Sequence, residues 1–248
     1  MRKIISYCLY GSIPMYLHGA IRNAEQAPQL YPDWQTRFYV GESVPVDVCN
    51  TLRGLGAEVV PVTEQEDASA MLWRFRPAGE TDVNIVISRD CDSRLSSREA
   101  NAVRAWLAGN KLFHIMRDHP HHTIPILGGM WGARGESLYD LRKLLDSFQP
   151  DGLKGADQIF LAKYIYPRYK NNSCIHDSFF KYEWVGRFFP EARKDSSFVG
   201  EIVDEYDQPS EEHRIVLKRV ESSLRNRLQL YFRSIRGFGD AWTSRSVL

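Results

Sequence analysis

The sequence is poor in several features that define whole classes of protein. Its four cysteines contain no Cys-x-x-Cys pair, which argues against a zinc knuckle or a disulfide framework and is typical of a reducing cytosol. No apolar run approaches the roughly 20 residues of a membrane span. Internal repeats and low-complexity tracts are missing too. These absences predict a globular, cytoplasmic protein without a membrane span.

An excess of charge of either sign is also lacking. Lysine and arginine number 32 against 31 for aspartate and glutamate, a balance that argues against a nucleic-acid partner held by bulk charge. Hydrophobic residues make up 43% of the chain and aromatic residues 12%, which suits a well-packed core. At 248 residues the chain fits one large α/β domain, with or without a helical appendage.

Apolar strands and amphipathic helices alternate along the first half of the chain. This order predicts an α/β fold with a mostly parallel twisted sheet flanked by helices. We further expect an irregular stretch at 118–135 and a polar loop at 171–178 that has room for a short strand. The predicted strands are 3–10, 36–40, 57–62, 83–87 and 113–116, and the predicted helices are 15–30, 46–55, 67–75, 97–108, 137–148, 156–166 and 211–236.

Two aspartates, Asp90 and Asp92, follow the strand at 83–87. Side chains two residues apart on a strand share a face, so both carboxylates should lie together at the carboxyl edge of the sheet, where open α/β sheets bind ligands. Carboxylates this close repel each other unless a cation or an arginine lies between them. Mn²⁺ and Mg²⁺ accept carboxylate oxygens and phosphates. The pair predicts a metal–diphosphate site, and the alternative is an acidic turn balanced by Arg89 and Arg94.

Three motifs in chain order carry a resemblance to a known family. They are Asp-Cys-Asp at 90–92 after a strand, Gly-Gly-Met-Trp-Gly at 128–132, and Gly-Ala-Asp-Gln at 155–158. Together they resemble nucleotide-sugar glycosyltransferases with the GT-A fold, and the segment 73–120 is similar to bacterial and viral members of that group. The last motif is distantly like the glycogenin-like retaining branch, although the residues around it match that branch poorly.

The resemblance implies an enzyme and a division of the chain. Residues 1–205 would form the catalytic domain, and residues 206–248 a helical extension that packs on the domain or on a partner subunit. The enzyme would transfer a sugar from a nucleotide-diphosphate sugar, with UDP-sugars favoured, to a saccharide or another hydroxyl acceptor. The glycogenin-like motif implies retention of configuration.

The same resemblance assigns a metal and catalytic residues. Asp90 and Asp92 would hold Mn²⁺ or Mg²⁺, and His176 is the best-placed third ligand; its alternative is an ordinary loop histidine. Asp157 and Gln158 would lie beneath the donor sugar and act in catalysis. The alternative for Asp157 is a carboxylate that stabilises the N-terminus of a helix.

Donor contacts follow from residue chemistry and from the resemblance. Glycines allow the backbone to approach a ligand closely, and guanidinium groups suit phosphate. The same arginines could instead form salt bridges with Asp90 or Asp118, and the glycines a tight turn. The candidate donor-binding residues are Tyr10, Gly11, Ser12, Arg74, Arg89, Asp90, Arg94, Gly128 and Gly129.

Two rival functions remain open. His119, His121 and His122 form a cluster that could bind zinc in a hydrolase, although Pro120 and the short spacing make joint ligation awkward. Otherwise His119, His122 and Trp131 would lie on the acceptor side of the sugar site. The second rival is a catalytically silent module that binds nucleotide-sugars or carbohydrate.

The predicted terminal helix is basic along one side, with an apolar stripe. A basic amphipathic helix can lie on an anionic membrane. Its glutamates dilute that charge, so packing on the domain or within a homo-oligomer is the alternative that we favour.

Overall fold

A computed structural model of the chain describes residues 1–150, 154–179, 182, 183 and 185–223. Seven strands form one sheet in the order β3-β2-β1-β4-β6-β5-β7. All neighbouring pairs are parallel except those that β6 makes with β4 and β5. The predicted α/β class with a mostly parallel sheet is therefore confirmed. The strands are β1 Arg2–Leu9, β2 Gln35–Val40, β3 Glu58–Pro61, β4 Val83–Ser88, β5 Phe113–Arg117, β6 Trp131–Arg134 and β7 Ser173–Asp177.

Helices cover both faces of the sheet, and their starts follow local sequence signals. Pro14 begins α1, where its missing N–H costs nothing. Ser96 caps α3 by accepting a hydrogen bond from the Glu99 N–H at 3.2 Å. The helices are α1 Pro14–Leu30, α2 Val46–Gly54, α3 Ser97–Ala108, α4 Glu136–Ser147, α5 Ala156–Phe160, α6 Tyr166–Tyr169 and α7 Glu211–Ser222, with a π-helical turn Leu161–Ile165 between α5 and α6.

The helix predicted at 67–75 is a 3₁₀ helix, Ala68–Gly79. Asp67 starts it by accepting a hydrogen bond from the Ser69 N–H at 2.7 Å. The prediction of a helix that begins at Asp67 is confirmed, and capping chemistry alone does not distinguish a 3₁₀ helix from an α-helix.

The irregular stretch predicted at 118–135 contains strand β6, which the sequence analysis missed. It inserts antiparallel between β4 and β5, and Ser88 at the end of β4 pairs with Trp131 at the start of β6. An antiparallel strand begins where its neighbour ends. The glycines Gly128 and Gly129 therefore arrive beside Asp90 at the carboxyl edge of the sheet.

Trp131 lies in the hydrophobic core and not on the acceptor side of a sugar site. Its side chain is fully buried. Its ring stacks on Phe113, with centroids 5.3 Å apart, and meets Phe75 edge-on at 4.9 Å. The prediction was wrong because the direction of this side chain depends on the register of a strand that had not been foreseen.

The helix α7 confirms the first part of the predicted terminal helix, and residues 224–236 of that prediction lie outside the described residues. The Leu217 side chain is fully buried. Arg214 Nε donates a hydrogen bond to Glu201 Oε1 at 2.6 Å. These contacts pack α7 against the rest of the chain. Within the described part of the chain, no helix combines the length and apolar character needed to cross a membrane.

Replacing Trp131 by alanine tests its place in the core. We expect Trp131→Ala to lower the free energy of unfolding by about 3–5 kcal/mol, because a large buried side chain leaves a cavity. Urea titration would measure this. The matched control is Tyr139→Ala. The Tyr139 side chain is 72% exposed, so its removal should lower the free energy of unfolding by about 0.5 kcal/mol or less. Equal stability of the two variants would contradict the buried position.

Candidate active site

A cavity of about 310 Å³ lies where β1 and β4 end. Its walls come from the loop after β1, the first turn of α1, the 3₁₀ helix and the residues that follow β4. Polar and aromatic groups lining it include Tyr10, Gly11, Tyr16, Arg74, Asp90 and Asp92. This is the edge at which the sequence predicts a ligand site.

Asp90 and Asp92 face the same cavity, as expected for side chains two residues apart. Burial raises the pKa of Asp92 to about 7, and repulsion from the Asp90 carboxylate adds to this effect. Arg74 and Arg94 oppose it only in part. Among the described residues, no side chain donates a hydrogen bond to the Asp92 carboxylate. The nearby arginines therefore do not fully balance the two carboxylates.

Arg74 connects Asp90 to Asp157 beneath the cavity. Its guanidinium is almost completely buried. Nη1 donates to Asp90 Oδ1, and Nη2 donates to Asp157 Oδ2 at 2.7 Å. Burial alone would lower the pKa of Arg74, but nearby groups led by Asp90 outweigh it and raise that pKa. Arg74 was predicted to bind the donor directly; it does line the cavity, but its charge is used to hold two carboxylates.

Asp157 is the second residue of α5 and is buried, with its carboxylate on Arg74. This contact places it close to the aspartate pair, 65 or more residues away in sequence. Gln158, its predicted catalytic partner, is exposed on the next position of the helix. The structure therefore brings Asp157, and not Gln158, to Arg74 and the aspartates.

Gly128 and Gly129 allow the backbone to approach this charged cluster. A Cβ at Gly128 would overlap Asp157 Oδ2 and Arg74 Nη2. One at Gly129 would overlap Asp90 Oδ2. The sequence predicts that these glycines make room for a sugar. In the structure they make room for the side chains that form the floor of the site.

The carboxylates fit a hard divalent cation. Mn²⁺ and Mg²⁺ take oxygen ligands and commonly keep several positions for water and substrate phosphate. Asp90 uses Oδ1 for Arg74, and the Asp92 carboxylate has no side-chain donor among the described residues. A cation here would also remove the repulsion that raises the pKa of Asp92.

Arg89 does not reach the donor cavity, and its predicted role is wrong. Side chains alternate along the chain here, so Arg89 points away from the face that carries Asp90. Its guanidinium is buried under α3, where Nε donates to Glu99 Oε1 at 2.6 Å. The Tyr31 hydroxyl donates to the same glutamate oxygen at 2.9 Å.

Arg94 serves a neighbouring loop instead of the cavity, so its predicted donor contact is also wrong. Nε donates to Asp207 Oδ1 at 2.9 Å, and Nη2 donates to the Asp204 carbonyl at 3.0 Å. The Val203 N–H donates to the Asp92 carbonyl at 2.8 Å. Together these bonds fasten the segment 203–207 beside the aspartate pair.

His176 is not a ligand of the aspartate site. It lies on β7 and is 1% exposed, with Nδ1 2.8 Å from Nε2 of His114 on the neighbouring strand β5. Among the described residues, no group of possible metal ligands within 4.8 Å of one another combines His176 with Asp90 and Asp92. The prediction failed because the pairing of β7 with β5 is non-local.

The histidine cluster at 119–122 is used for packing, which removes both functions predicted for it. His119 Nε2 donates to the His213 carbonyl at 2.9 Å, and its Nδ1 accepts from the His121 N–H at 3.0 Å. His122 Nδ1 accepts from the Asp118 N–H at 2.9 Å. His119 and His122 are buried, with the His119 ring 4.3 Å from that of Phe198. They form neither a zinc site among the described residues nor an acceptor wall of the cavity.

Two of the three residues predicted to bind the donor in the loop after β1 lie at the cavity. Tyr10 and Gly11 line the cavity, and Tyr10 meets Trp73 edge-on at 5.9 Å. Ser12 is exposed beside them, and its role stays a prediction. Tyr16, in the first turn of α1, also lines the cavity and was not predicted. The available signal was its position, since a helix that follows a strand begins at the carboxyl edge.

No protein-family model matches the chain. No curated protein matches its sequence. Solved structures similar to it include a glycosyltransferase involved in the glycosylation of the major capsid of PBCV-1, with 16% identity, 72% of this chain and 82% of that chain covered, and a TM-score of 0.48.

Glucosyl-3-phosphoglycerate synthase from Mycobacterium tuberculosis is also similar. Its complex with UDP has 16% identity, covers 69% of this chain and 68% of that chain, and has a TM-score of 0.44. Its complex with Mn²⁺, UDP and phosphoglyceric acid has 14% identity, covers 69% and 67%, and has a TM-score of 0.44.

Removing the Arg74 guanidinium tests its role as the link between Asp90 and Asp157. We expect Arg74→Met to lower the free energy of unfolding by about 3–5 kcal/mol, because the buried Asp157 carboxylate loses its counter-charge. Arg142→Met is the matched control, since Arg142 forms an exposed pair with Asp146 four residues on and should cost about 0.5 kcal/mol or less. Urea unfolding of both variants measures the difference, and a small cost for Arg74→Met would refute the link.

Adding a methyl group at Gly129 tests the close approach of the backbone to Asp90. We expect Gly129→Ala to lower the free energy of unfolding by about 1–3 kcal/mol, because the new Cβ overlaps the Asp90 carboxylate and backbone. Gly54→Ala is the control, because a Cβ there meets no atom within 4 Å. Thermal unfolding of the two variants should diverge. A Gly129→Ala protein as stable as the control would show that this approach is not tight.

Proposed function

We propose that the chain is a metal-dependent glycosyltransferase that uses a nucleotide-diphosphate sugar as donor. The observation that carries this proposal is the aspartate pair at the mouth of the cavity, joined through Arg74 to the buried Asp157. A diphosphate needs a cation, and a sugar undergoing transfer needs a carboxylate or amide near its reacting carbon. The cluster offers carboxylate ligands for a cation in the cavity, and Asp157 lies next to the cavity behind Arg74.

Asp90 and Asp92 would hold Mn²⁺ or Mg²⁺ through their carboxylate oxygens. When bound, the cation supplies positive charge that stabilises the negative charge developing on the departing diphosphate. Arg74 keeps Asp90 in place through its bond to Oδ1. Because Arg74 also binds Asp157, the carboxylates of Asp90 and Asp157 keep a fixed distance from each other during the reaction.

Asp157 is the residue that we assign to the donor sugar. Its carboxylate is buried and accepts a hydrogen bond from Arg74 Nη2 at 2.7 Å. In this position it stabilises positive charge on the sugar ring as the bond to the diphosphate weakens. Retention of configuration, a UDP donor and an acceptor that is a saccharide or another hydroxyl compound complete the proposal, and these rest on the sequence resemblance.

Tyr10, Gly11 and Tyr16 form the part of the cavity that we assign to the nucleoside. Two aromatic rings and an apolar wall suit a base and ribose, which need stacking and hydrogen-bond partners. The Gly11 N–H donates to Ser43 Oγ at 2.6 Å, which holds the loop in place. Ser43 in turn bonds Glu66, and this contact lowers the pKa of that carboxyl group.

Asp92→Asn is the variant that tests the proposal. We expect it to weaken Mn²⁺-dependent binding of UDP by more than about 100-fold, because even changes in the groups around metal ligands cost about 10- to 100-fold. The fold should remain intact, since burial and Asp90 already disfavour a charge at this position. Isothermal titration of UDP with and without Mn²⁺ measures the affinity, and release of UDP from a panel of nucleotide-sugars measures turnover.

Asp33→Asn is the matched control, because Asp33 is exposed and should leave both measurements unchanged. Unchanged Mn²⁺-dependent binding in Asp92→Asn would overturn the metal assignment. Tight Mn²⁺-dependent binding by the unaltered protein, with no sugar released from any donor in the presence of hydroxyl acceptors, would instead favour the silent binding module.

A further inference from the structure

A second group of possible metal ligands lies on the sheet, apart from the aspartate site. Cys174 and His176 are two residues apart on β7 and therefore share a face. His114 on β5 pairs directly with Cys174 in the register of the two strands. All three side chains thus meet on one face of a parallel strand pair.

The geometry of this group is close to that of a metal site. One ligand atom from each of His114, Cys174 and His176 can be chosen so that all three lie within 4.8 Å of one another. His114 Nε2 and His176 Nδ1 are hydrogen-bonded at 2.8 Å, and a metal ion bound to either nitrogen would replace that bond. The three residues are between 0% and 6% exposed. Strand pairing and burial hold these atoms in place, as metal binding requires.

One buried atom in the group has no partner. Nδ1 of His114 lacks a hydrogen bond among the described residues. A buried polar atom without a partner costs about 1–3 kcal/mol. His114 is otherwise firmly packed, with its ring stacked on Trp106 at a centroid distance of 5.3 Å. A ligand bound to Nδ1 would remove this cost in free energy.

We propose that His114, Cys174 and His176 bind a transition-metal ion of the zinc class. Two imidazoles and a thiolate are the ligand types that select Zn²⁺ and similar borderline ions, whereas Mn²⁺ and Mg²⁺ prefer carboxylate oxygens. The chain would then carry two metal sites of different chemistry, and this second site does not depend on the proposed transferase activity.

Charges around the group make the thiolate essential. Burial lowers the pKa of His114 and lowers that of His176 to about 3. Burial raises the pKa of Cys174, and Arg187, Arg134 and Lys111 oppose that rise. These cations would also repel a metal ion. Binding therefore has to release the thiol proton, because only the thiolate supplies negative charge.

A second cavity reaches this group of residues at Cys174. It measures about 330 Å³ and is lined by Cys174 together with Trp106, Ser173 and Arg187. It lies where β5 and β7 begin, so it opens at the edge of the sheet opposite to the aspartates. A tetrahedral ion with three protein ligands leaves its fourth position for a water molecule or small ligand from this cavity.

Co²⁺ is the probe that tests the site, because it reports its ligands by absorption. The full-length protein, freed of metal by chelation, is titrated with Co²⁺. We expect one equivalent to produce thiolate-to-cobalt charge transfer in the near ultraviolet and strong visible bands of a tetrahedral centre. Zn²⁺ should displace the Co²⁺ and remove these bands, and an excess of Mg²⁺ should not.

Variants assign the signal to this group. Cys174→Ser should lose the charge-transfer band, whereas Cys49→Ser and Asp92→Asn should keep it. Cys49 is the matched thiol control, because it is a half-buried cysteine on α2. A charge-transfer band that survives in Cys174→Ser, or its absence from the unaltered protein, would overturn the proposal.

A measurement without variants covers the case in which Cys174→Ser fails to fold. X-ray absorption at the cobalt edge of the unaltered protein should show one sulfur neighbour together with imidazole nitrogens. A coordination shell of oxygen alone would place the ion at carboxylates and would overturn the proposal. Because neither readout uses a nucleotide-sugar, failure of this site and failure of the proposed transferase remain distinguishable.

Discussion

The buried guanidinium of Arg74 is the contact on which the rest of the site depends. It binds Asp90, which follows β4, and Asp157, which begins α5, so that two distant parts of the chain share one charge. Arg74 and Asp157 are buried, and a buried charged pair is stable only while its two partners remain bonded to each other. The backbone at Gly128 and Gly129 closes over them so tightly that a Cβ would not fit. The carboxylates are therefore placed before any ligand arrives.

Much of this arrangement was predictable from the sequence, because it follows from short-range rules. The alternation of strands and helices predicted the parallel sheet. The two-residue period of a strand predicted that Asp90 and Asp92 would face one cavity, and the aspartate of the last motif was found beside them through Arg74. The same period placed Arg89 on the opposite face, so the signal against its predicted role was present in the sequence.

The predictions for Trp131 and His176 failed because the outcome depended on non-local strand pairing. Trp131 is a core residue because β6 inserts between β4 and β5, and a four-residue strand in a glycine-rich stretch has almost no pattern of its own. His176 faces His114 because β7 pairs with β5 across some sixty residues. Only the register of β7 could reveal which neighbours His176 has.

The bonds of Arg94 and Asp92 to the segment 203–207 affect the order in which the molecule is assembled. They join residues more than 100 positions apart. Contacts of this kind form late, since a long loop must close before they contribute. A chain still growing on the ribosome reaches this stage only after residue 207 has emerged. Until then the bonds that hold the segment 203–207 beside the aspartate pair cannot form.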